Sequence, residues 1–200
     1  MIDEYKKNGF IIIDDFLPEE VANELESMYI NKNNQWEFID QYRDQAYGNG
    51  KYGKHKTDSI YFPKEDEVYT AKFYRSNKLE LKINNIFNKY FKPTLKSLSQ
   101  FNLNEFDVRC YKLDEGCHYR THMDDYAGDI GCVYYLNKCW RWDWGGILHI
   151  GTSDDSLKSI FPKFNRIMIH DMKKFRFPHF IDQVTSYAKN PRYSIVSFNK

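Results

Sequence analysis

Gly131-Cys132-Val133-Tyr134-Tyr135-Leu136 and Gly146-Ile147-Leu148-His149-Ile150 are short apolar runs, rich in β-branched and aromatic residues and flanked by turn-forming ones. Runs of this length fit a pleated, half-buried strand; an amphipathic helix needs a longer stretch with a 3.6-residue period. Asp107 to Lys112, Arg166 to Asp171 and Tyr193 to Phe198 have the same character. Everything from about residue 105 onward therefore predicts an all-β half.

The chain before that point reads differently. Residues 9 to 16 form a β-branched strand-like run, and Pro18-Glu19-Glu20 opens a helix whose apolar face is Val21, Leu25, Met28 and Tyr29. A second helix is expected over 77 to 91, with Ile83, Ile86, Phe87, Tyr90 and Phe91 inward and Pro93 as its stop. Between them, 31 to 76 is rich in Asn, Lys, Tyr and Gly, and Gly48, Gly50 and Gly53 interrupt any period. Loops, short irregular strands and a lid over a site are expected there. Helices ahead of a run of strands argue for an α+β, mainly β fold: a sandwich or barrel with the N-terminal helices packed outside. One domain over 1–200 is expected, with 1–100 supplying strand, helices and lid and 101–200 the core.

Composition narrows the function. With 42% apolar and 18% aromatic residues, 200 residues bury a core without staples. The net charge is +1 and no basic or acidic block occurs, which argues against nucleic acid and membrane surfaces as partners. Cys110, Cys117, Cys132 and Cys139 form two pairs seven apart, matching neither a CxxC zinc site nor a disulfide framework, so reduced, packed thiols are expected. The N-terminus passes directly into the strand-like run without the apolar core of a signal peptide, and no run is long enough to span a bilayer. A cytoplasmic enzyme is the expectation.

His122-Met123-Asp124 places two ligand types two apart, and on a strand such residues project from one face. A ferrous centre that must bind oxygen wants few protein ligands on one side, a need that two His and one carboxylate meet. Alone, the triplet reads sooner as a surface-loop histidine beside an acidic pair. Further on, Pro178-His179-Phe180 is followed by Pro191-Arg192-Tyr193-Ser194. Arg192 and Ser194 share a strand face, and a guanidinium holds the far carboxylate of a buried dicarboxylate better than an ammonium does. Singly, Arg192 reads as a strand-end charge and His179 as a turn histidine. His118, His149 and His170 have no carboxylate two residues away and are treated as structural. Trp140-Arg141-Trp142-Asp143-Trp144 reads either as an aromatic grip on a substrate or as a hairpin tip packed on its own barrel.

The order HxD, Gly-Gly strand, His, Arg-x-Ser resembles the 2-oxoglutarate/Fe(II) dioxygenases, and within them the prolyl 4-hydroxylase-like group. The stretches Val133 to Trp140, Gly145 to Ile150 and Pro162 to Arg166 look very like the hypoxia-sensing prolyl hydroxylases and their bacterial relatives; the likeness covers about 106 to 199, with a further echo in Gly9 to Leu17. The resemblance implies a double-stranded β-helix (jelly-roll, cupin-like) core. It further implies Fe(II) on His122, Asp124 and His179, with 2-oxoglutarate and O2 as co-substrates and ascorbate as a reductant. Arg192, Tyr135, Tyr111 and Ser194 would hold the 2-oxoglutarate, with Leu148 as an apolar wall beside it. Tyr134 and Tyr119 stand in for the two tyrosines if the register slips by one. The carboxylate at Asp124 argues for hydroxylation, because halogenases of this fold carry a small residue there.

This sequence departs from the pattern in two places. His179 and Arg192 are thirteen residues apart, which implies a longer hairpin or a bulge before the last strand. After Asp124, the stretch Asp125 to Gly131 lacks the arginine that lines the substrate side in the hypoxia-sensing enzymes, and Phe198 stands where they carry a tryptophan. The resemblance implies a hydroxylase acting on a prolyl or other residue in a protein or peptide. A hydroxylase of a free amino acid or small metabolite, and a non-catalytic carboxylate- or partner-binding barrel, remain open.

Overall fold

A computed structural model describes residues 2–43, 69–98, 106–124, 127–153, 155–175 and 177–199. In chain order the elements are α1 (Ile2–Asn8), β1 (Phe10–Ile13), α2 (Glu19–Ile30), β2 (Glu37–Arg43), β3 (Tyr69–Arg75), α3 (Asn77–Ile86) and α4 (Lys92–Leu98). Then come β4 (Phe106–Leu113), β5 (His118–His122), β6 (Ile130–Tyr135), β7 (Leu148–Ser153), β8 (Ser156–Ile160), β9 (Arg166–Asp171), β10 (His179–Ile181) and β11 (Arg192–Asn199). The strands follow one another side by side as β1-β9-β6-β11-β4-β3-β5-β10-β7-β8, with β2 on the free side of β3. Every pairing is antiparallel.

The corner lies at β3. Its Tyr74 and Arg75 pair with Lys112 and Tyr111 of β4, while Ala71 and Lys72 pair with Tyr119 and His118 of β5. The sheet curls there, so that β4, β6 and β11 share one interior with β5, β7 and β10. This is the expected mainly β jelly-roll core, with helices on one sheet.

Strand alternation sorts the side chains of that sheet between two layers. On β11, Ile195 joins the outer core with Leu25, Ile83, Phe87, Phe91 and Leu95 from the helices, whereas Arg192, Ser194, Val196 and Phe198 face the interior. Those five helix-borne and π-turn side chains are fully buried, and each contributes about 1.5–3 kcal/mol of hydrophobic stabilisation. The Tyr29 hydroxyl on α2 donates to the Ser194 carbonyl at 2.9 Å, tying the helix layer to the strand that lines the site.

Three expectations need correction. Within 31–76, β2 and β3 are regular seven-residue strands paired over their whole length. The glycine-rich residues between them concealed an alternation in which Ala71, Phe73 and Arg75 face inward. The expected lid falls on 44–68, outside the described residues. Pro93 does not stop the second helix: Phe87–Phe91 form a π turn, with Phe87 and Phe91 stacked 4.9 Å apart, and α4 continues to Leu98. The wider turn accommodates the proline ring, which would clash in an unbroken α-helix. Finally, α1 precedes the first strand and buries Tyr5.

Cys110, Cys117 and Cys132 are buried free thiols and Cys139 is an exposed one, as expected. Among the described residues, no helix is long and apolar enough to cross a membrane.

Candidate active site

His122 closes β5, His179 opens β10, and the two stand directly opposite each other in the antiparallel pair. Asp124 follows just past the end of β5. One ligand atom from each of the three lies within 4.8 Å of the others. His179 Nε2 is 3.2 Å from Asp124 Oδ2, His122 Nε2 is 3.7 Å from Asp124 Oδ1, and the imidazole centroids are 4.3 Å apart.

Both rings are oriented from behind. His122 Nδ1 faces the Arg120 carbonyl at 2.8 Å and His179 Nδ1 faces the Phe177 carbonyl at 3.1 Å. A carbonyl only accepts, so each Nδ1 carries the proton and each Nε2 is turned to the shared point, the arrangement that fixes histidine ligands in metal sites. Burial, with the His179 charge, lowers the His122 pKa to about 4, which leaves its imidazole neutral at pH 7. Burial also opposes charge on His179, but the hydrogen bond and charge of Asp124 outweigh it and raise that pKa. Burial likewise works against ionised Asp124, yet the neighbouring His122 and His179 hold its carboxyl well below the usual carboxylate range. A proton between His179 and Asp124 thus takes the place that a divalent cation fits. Two neutral imidazoles and one carboxylate on one side of a largely buried pocket suit ferrous iron.

The pocket, about 190 Å³ in volume, contains His122, Asp124, His179, Leu148, Arg192 and Ser194 in its wall. Arg192 is 1% exposed. Its Nη1 donates to Ser194 Oγ at 3.0 Å and its Cζ lies 5.1 Å from the centre of the Tyr135 ring. Burial raises the Tyr135 phenol pKa, and the adjacent Arg192 charge opposes that rise. Among the described residues, Arg192 Nε, Arg192 Nη2 and the Tyr135 hydroxyl complete no hydrogen bond of ordinary geometry. An unmet buried donor costs about 1–3 kcal/mol. Two unmet donors of one buried guanidinium in the wall beside a metal triad fit a carboxylate ligand, and the donor chemistry matches the distal end of 2-oxoglutarate; Tyr135 touches Arg192 but is not itself part of that wall.

Tyr111, Ser194 and Tyr135 occupy one row across β4, β11 and β6, since Ser194 opposes both tyrosines in register. Tyr111 lines the pocket, where its hydroxyl is engaged by Arg109. Tyr134 faces the helix layer and donates to Asn165 Oδ1 at 2.9 Å, so the register favours Tyr135. Tyr119 also lines the pocket, stacked on Phe73 at 4.9 Å.

Glycine shapes this floor. Gly146 has φ +66, and a Cβ there would sit 3.0 Å from Arg192 Cδ. The long interval before Arg192 contains the expected irregularity, a register shift between His179 and Ile181, but not a hairpin: β10 and β11 pair with different strands, and the connection between them is held by Val184 and Thr185 amides that donate to Cys117 and Trp144 carbonyls.

Of the other histidines, His149 lies on the outer side of β7, stacked 4.6 Å from Phe180 and 2.9 Å from Ser159 Oγ. His118 Nδ1 is held by the Gly116 carbonyl at 3.1 Å. His170 is closer to the centre than the sequence suggested: its ring sits 5.8 Å from that of His179, and burial lowers its pKa to about 3. The Trp140 to Trp144 stretch divides between its two readings. Trp140 and Trp144 pack edge to face at 5.3 Å on the barrel, while Trp142 is 75% exposed. Sequence reasoning missed Ile39, Phe73, Arg75 and Arg109 in the pocket wall. Alternation outward from Tyr111 would have found Arg109.

Residues 106–199 match the family model of the 2OG-Fe(II) oxygenase superfamily. No curated protein matches the sequence. Among solved structures, a Pseudomonas putida prolyl-4-hydroxylase is similar at TM-score 0.63 and 14% identity, over 100% of this chain and 96% of that one. A Trichoplax adhaerens prolyl hydroxylase, in complex with a peptide fragment of the hypoxia inducible factor oxygen degradation domain, is similar at TM-score 0.64 and 19% identity, over 99% and 86%. A non-heme alpha ketoglutarate dependent epimerase from nogalamycin biosynthesis is similar at TM-score 0.59 and 10% identity, over 98% and 79%. At these identities the likeness concerns the fold, and fold alone does not choose the reaction. Strands, site geometry and family model thus coincide over residues 106–199, the stretch of the chain that matches the 2OG-Fe(II) oxygenase superfamily.

Proposed function

We propose that this chain is a 2-oxoglutarate- and Fe(II)-dependent hydroxylase of the prolyl 4-hydroxylase-like kind, acting on an amino-acid residue in a peptide or protein. The observation that carries this reading is the convergence of His122, Asp124 and His179 in the same pocket as a sealed, incompletely bonded Arg192. When bound, Fe(II) with 2-oxoglutarate and O2 supplies the oxidation of a substrate C–H, with succinate and CO2 as co-products.

The protein's own part is geometric and electrostatic. The Arg120 and Phe177 carbonyls hold two imidazoles ready to ligate without reorganisation. Arg192, braced by Ser194, grips the far carboxylate of the co-substrate, and the Tyr135 hydroxyl donates to the same group. Tyr111 approaches from the next strand. Leu148 and Val133 give the pocket an apolar wall that keeps water from the middle of the diacid. Phe198 keeps an aromatic face on the substrate side.

A second reading, hydroxylation of a free amino acid or small metabolite, is favoured by Arg75 and Arg109 in the same wall, which suit a small anionic substrate. Incubation with Fe(II), ascorbate and 2-oxoglutarate tests the proposal: succinate is expected from the wild type and not from Asp124→Ala. Equal succinate from both would refute the ligand assignment, and no oxygen consumption would favour a non-catalytic binding barrel.

A further inference from the structure

Two arginines outside the proposed co-substrate anchor face the same pocket. Arg109 comes from β4 and Arg75 from β3, where Arg75 opposes Tyr111 in register. Their side chains are 27% and 32% exposed, whereas Arg192 is sealed. They therefore mark the end of the pocket nearer to solvent.

Neither guanidinium is loose. Asp107 Oδ2 accepts from Arg109 Nε at 3.1 Å and from Nη2 at 2.6 Å, and Arg109 Cζ lies 4.9 Å from the centre of the Phe198 ring. Glu80 takes Arg75 Nε at 2.7 Å and Nη2 at 2.8 Å, while its Oε1 also accepts from the Cys110 amide. Neither carboxylate belongs to the pocket wall. Each holds one edge of its guanidinium from outside and leaves Nη1 out of the ion pair, and Arg109 also engages the Tyr111 hydroxyl within the pocket. A planar fork fixed in this way presents its remaining donors at little entropic cost.

The backbone position of Arg109 lies beyond the span of the co-substrate. Arg109 opposes Val196, four residues along β11 from Arg192, a separation of about 14 Å at ~3.4 Å per residue. The carboxyl carbons of a five-carbon diacid are four C–C bonds apart, at most ~6 Å. A molecule anchored at Arg192 and ending at the metal stops well short of that backbone position.

We propose that Arg109, with Arg75 beside it, forms an anion subsite at the outer end of the pocket that receives a carboxylate of the substrate. The subsite occupies the substrate side, where the residues after Asp124 provide no arginine, and delivers the guanidinium from β4. The carboxylate is either the free terminus of an amino acid or peptide, or an acidic side chain within one. This inference rests on the proposed oxygenase reading, because it takes the metal and Arg192 as the inner end of the pocket.

The test uses full-length protein loaded with Mn(II) and saturating 2-oxoglutarate, so that the inner site is filled and no turnover occurs. Paramagnetic broadening of probe protons then reports binding beside the metal. The probes are N-acetyl-L-leucine against N-acetyl-L-leucinamide, for a terminal carboxylate, and N-acetyl-L-glutamic acid α-amide against N-acetyl-L-glutamine amide, for a side-chain one. In at least one pair the acid is expected to bind about tenfold or more tighter than the amide. The pair showing the preference identifies the source of the carboxylate. Arg109→Gln removes the preference and Arg109→Lys restores part of it, and thermal scans confirm that both variants fold. Arg75→Gln weakens the preference independently. Acid and amide binding alike in both pairs, or a preference intact in Arg109→Gln, overturns the proposal. Absence of succinate in aerobic assays would instead count against the oxygenase reading and leave the binding preference standing.

Discussion

Replacing Arg192 by Met should separate binding from stability in opposite directions. The two charge-assisted hydrogen bonds that Arg192 is positioned to give a carboxylate are worth about 1.5–3 kcal/mol each, so the 2-oxoglutarate Kd should rise about 100-fold at the least. The ligand-free protein should become more stable. Burial works against the charged guanidinium, and its Nε and Nη2 lack partners among the described residues. Each unmet buried donor costs about 1–3 kcal/mol, with the lower figure apt where pocket water reaches it. Against the gain, about 2 kcal/mol from the unmet donors and a further few kcal/mol from no longer desolvating a charge, stand the lost bond to Ser194 and the contact with the Tyr135 ring, together about 3–4 kcal/mol. The net is about +1 kcal/mol, or a Tm higher by about 2–4 °C for a chain of this length. Calorimetric titration with 2-oxoglutarate on the metal-loaded protein and thermal scans of the ligand-free protein read the two effects. A lowered Tm, or an unchanged 2-oxoglutarate affinity, would refute the idea that Arg192 is an unsatisfied anchor awaiting a carboxylate.

Gly146→Ala should lower stability by about 1–2 kcal/mol and weaken 2-oxoglutarate binding, because the left-handed backbone resists a side chain and the new methyl presses on Arg192 Cδ; thermal scans and 2-oxoglutarate titration check both effects. Tyr135→Phe should raise the 2-oxoglutarate Kd about five- to tenfold with little change in Tm, since one hydrogen bond donor is lost from a site that otherwise packs as before, and isothermal titration measures it. In the metal-free protein, His122 and His170 have pKa values depressed to about 4 and about 3, so the unfolded chain takes up their protons first as pH falls below about 6.5. Stability should therefore fall between pH 6.5 and 4, partly offset by the raised pKa of His179, which favours the folded state on the acid side. Thermal scans of His170→Phe should show a shallower decline, and an unchanged slope would contradict the assignment.

The β half was legible because its strands announce themselves locally: Val133 to Leu136 and Tyr193 to Phe198 are β-branched and aromatic within themselves. The alternation that separates Tyr135 from Tyr134 needed only the register to resolve. The metal ligands were legible as an ordered set, since His122 and His179 acquire meaning from being cross-strand partners, which spacing alone does not reveal. The corner strand β3 was hidden because its interior face ends in Arg75, a charge that reads as surface until Glu80 is seen holding it. The same blindness concealed Arg109. For His170, the deciding feature lies on another strand: a Cβ on Gly131 would fall 2.3 Å from its Nε2, so a missing side chain across the sheet lets that imidazole sit near the centre. Pro93 misled because a proline stop assumes α-helical pairing, and the π turn before it changes the pairing that the ring would break.

The account stands or falls on the three ligands and Arg192 forming one site. Anaerobic addition of Fe(II) and then 2-oxoglutarate to the purified protein should produce a weak visible charge-transfer band that saturates at one equivalent of each. The band should be absent in Asp124→Ala and should require far more 2-oxoglutarate in Arg192→Met. No band in the wild type, or the same titration in all three proteins, would contradict it.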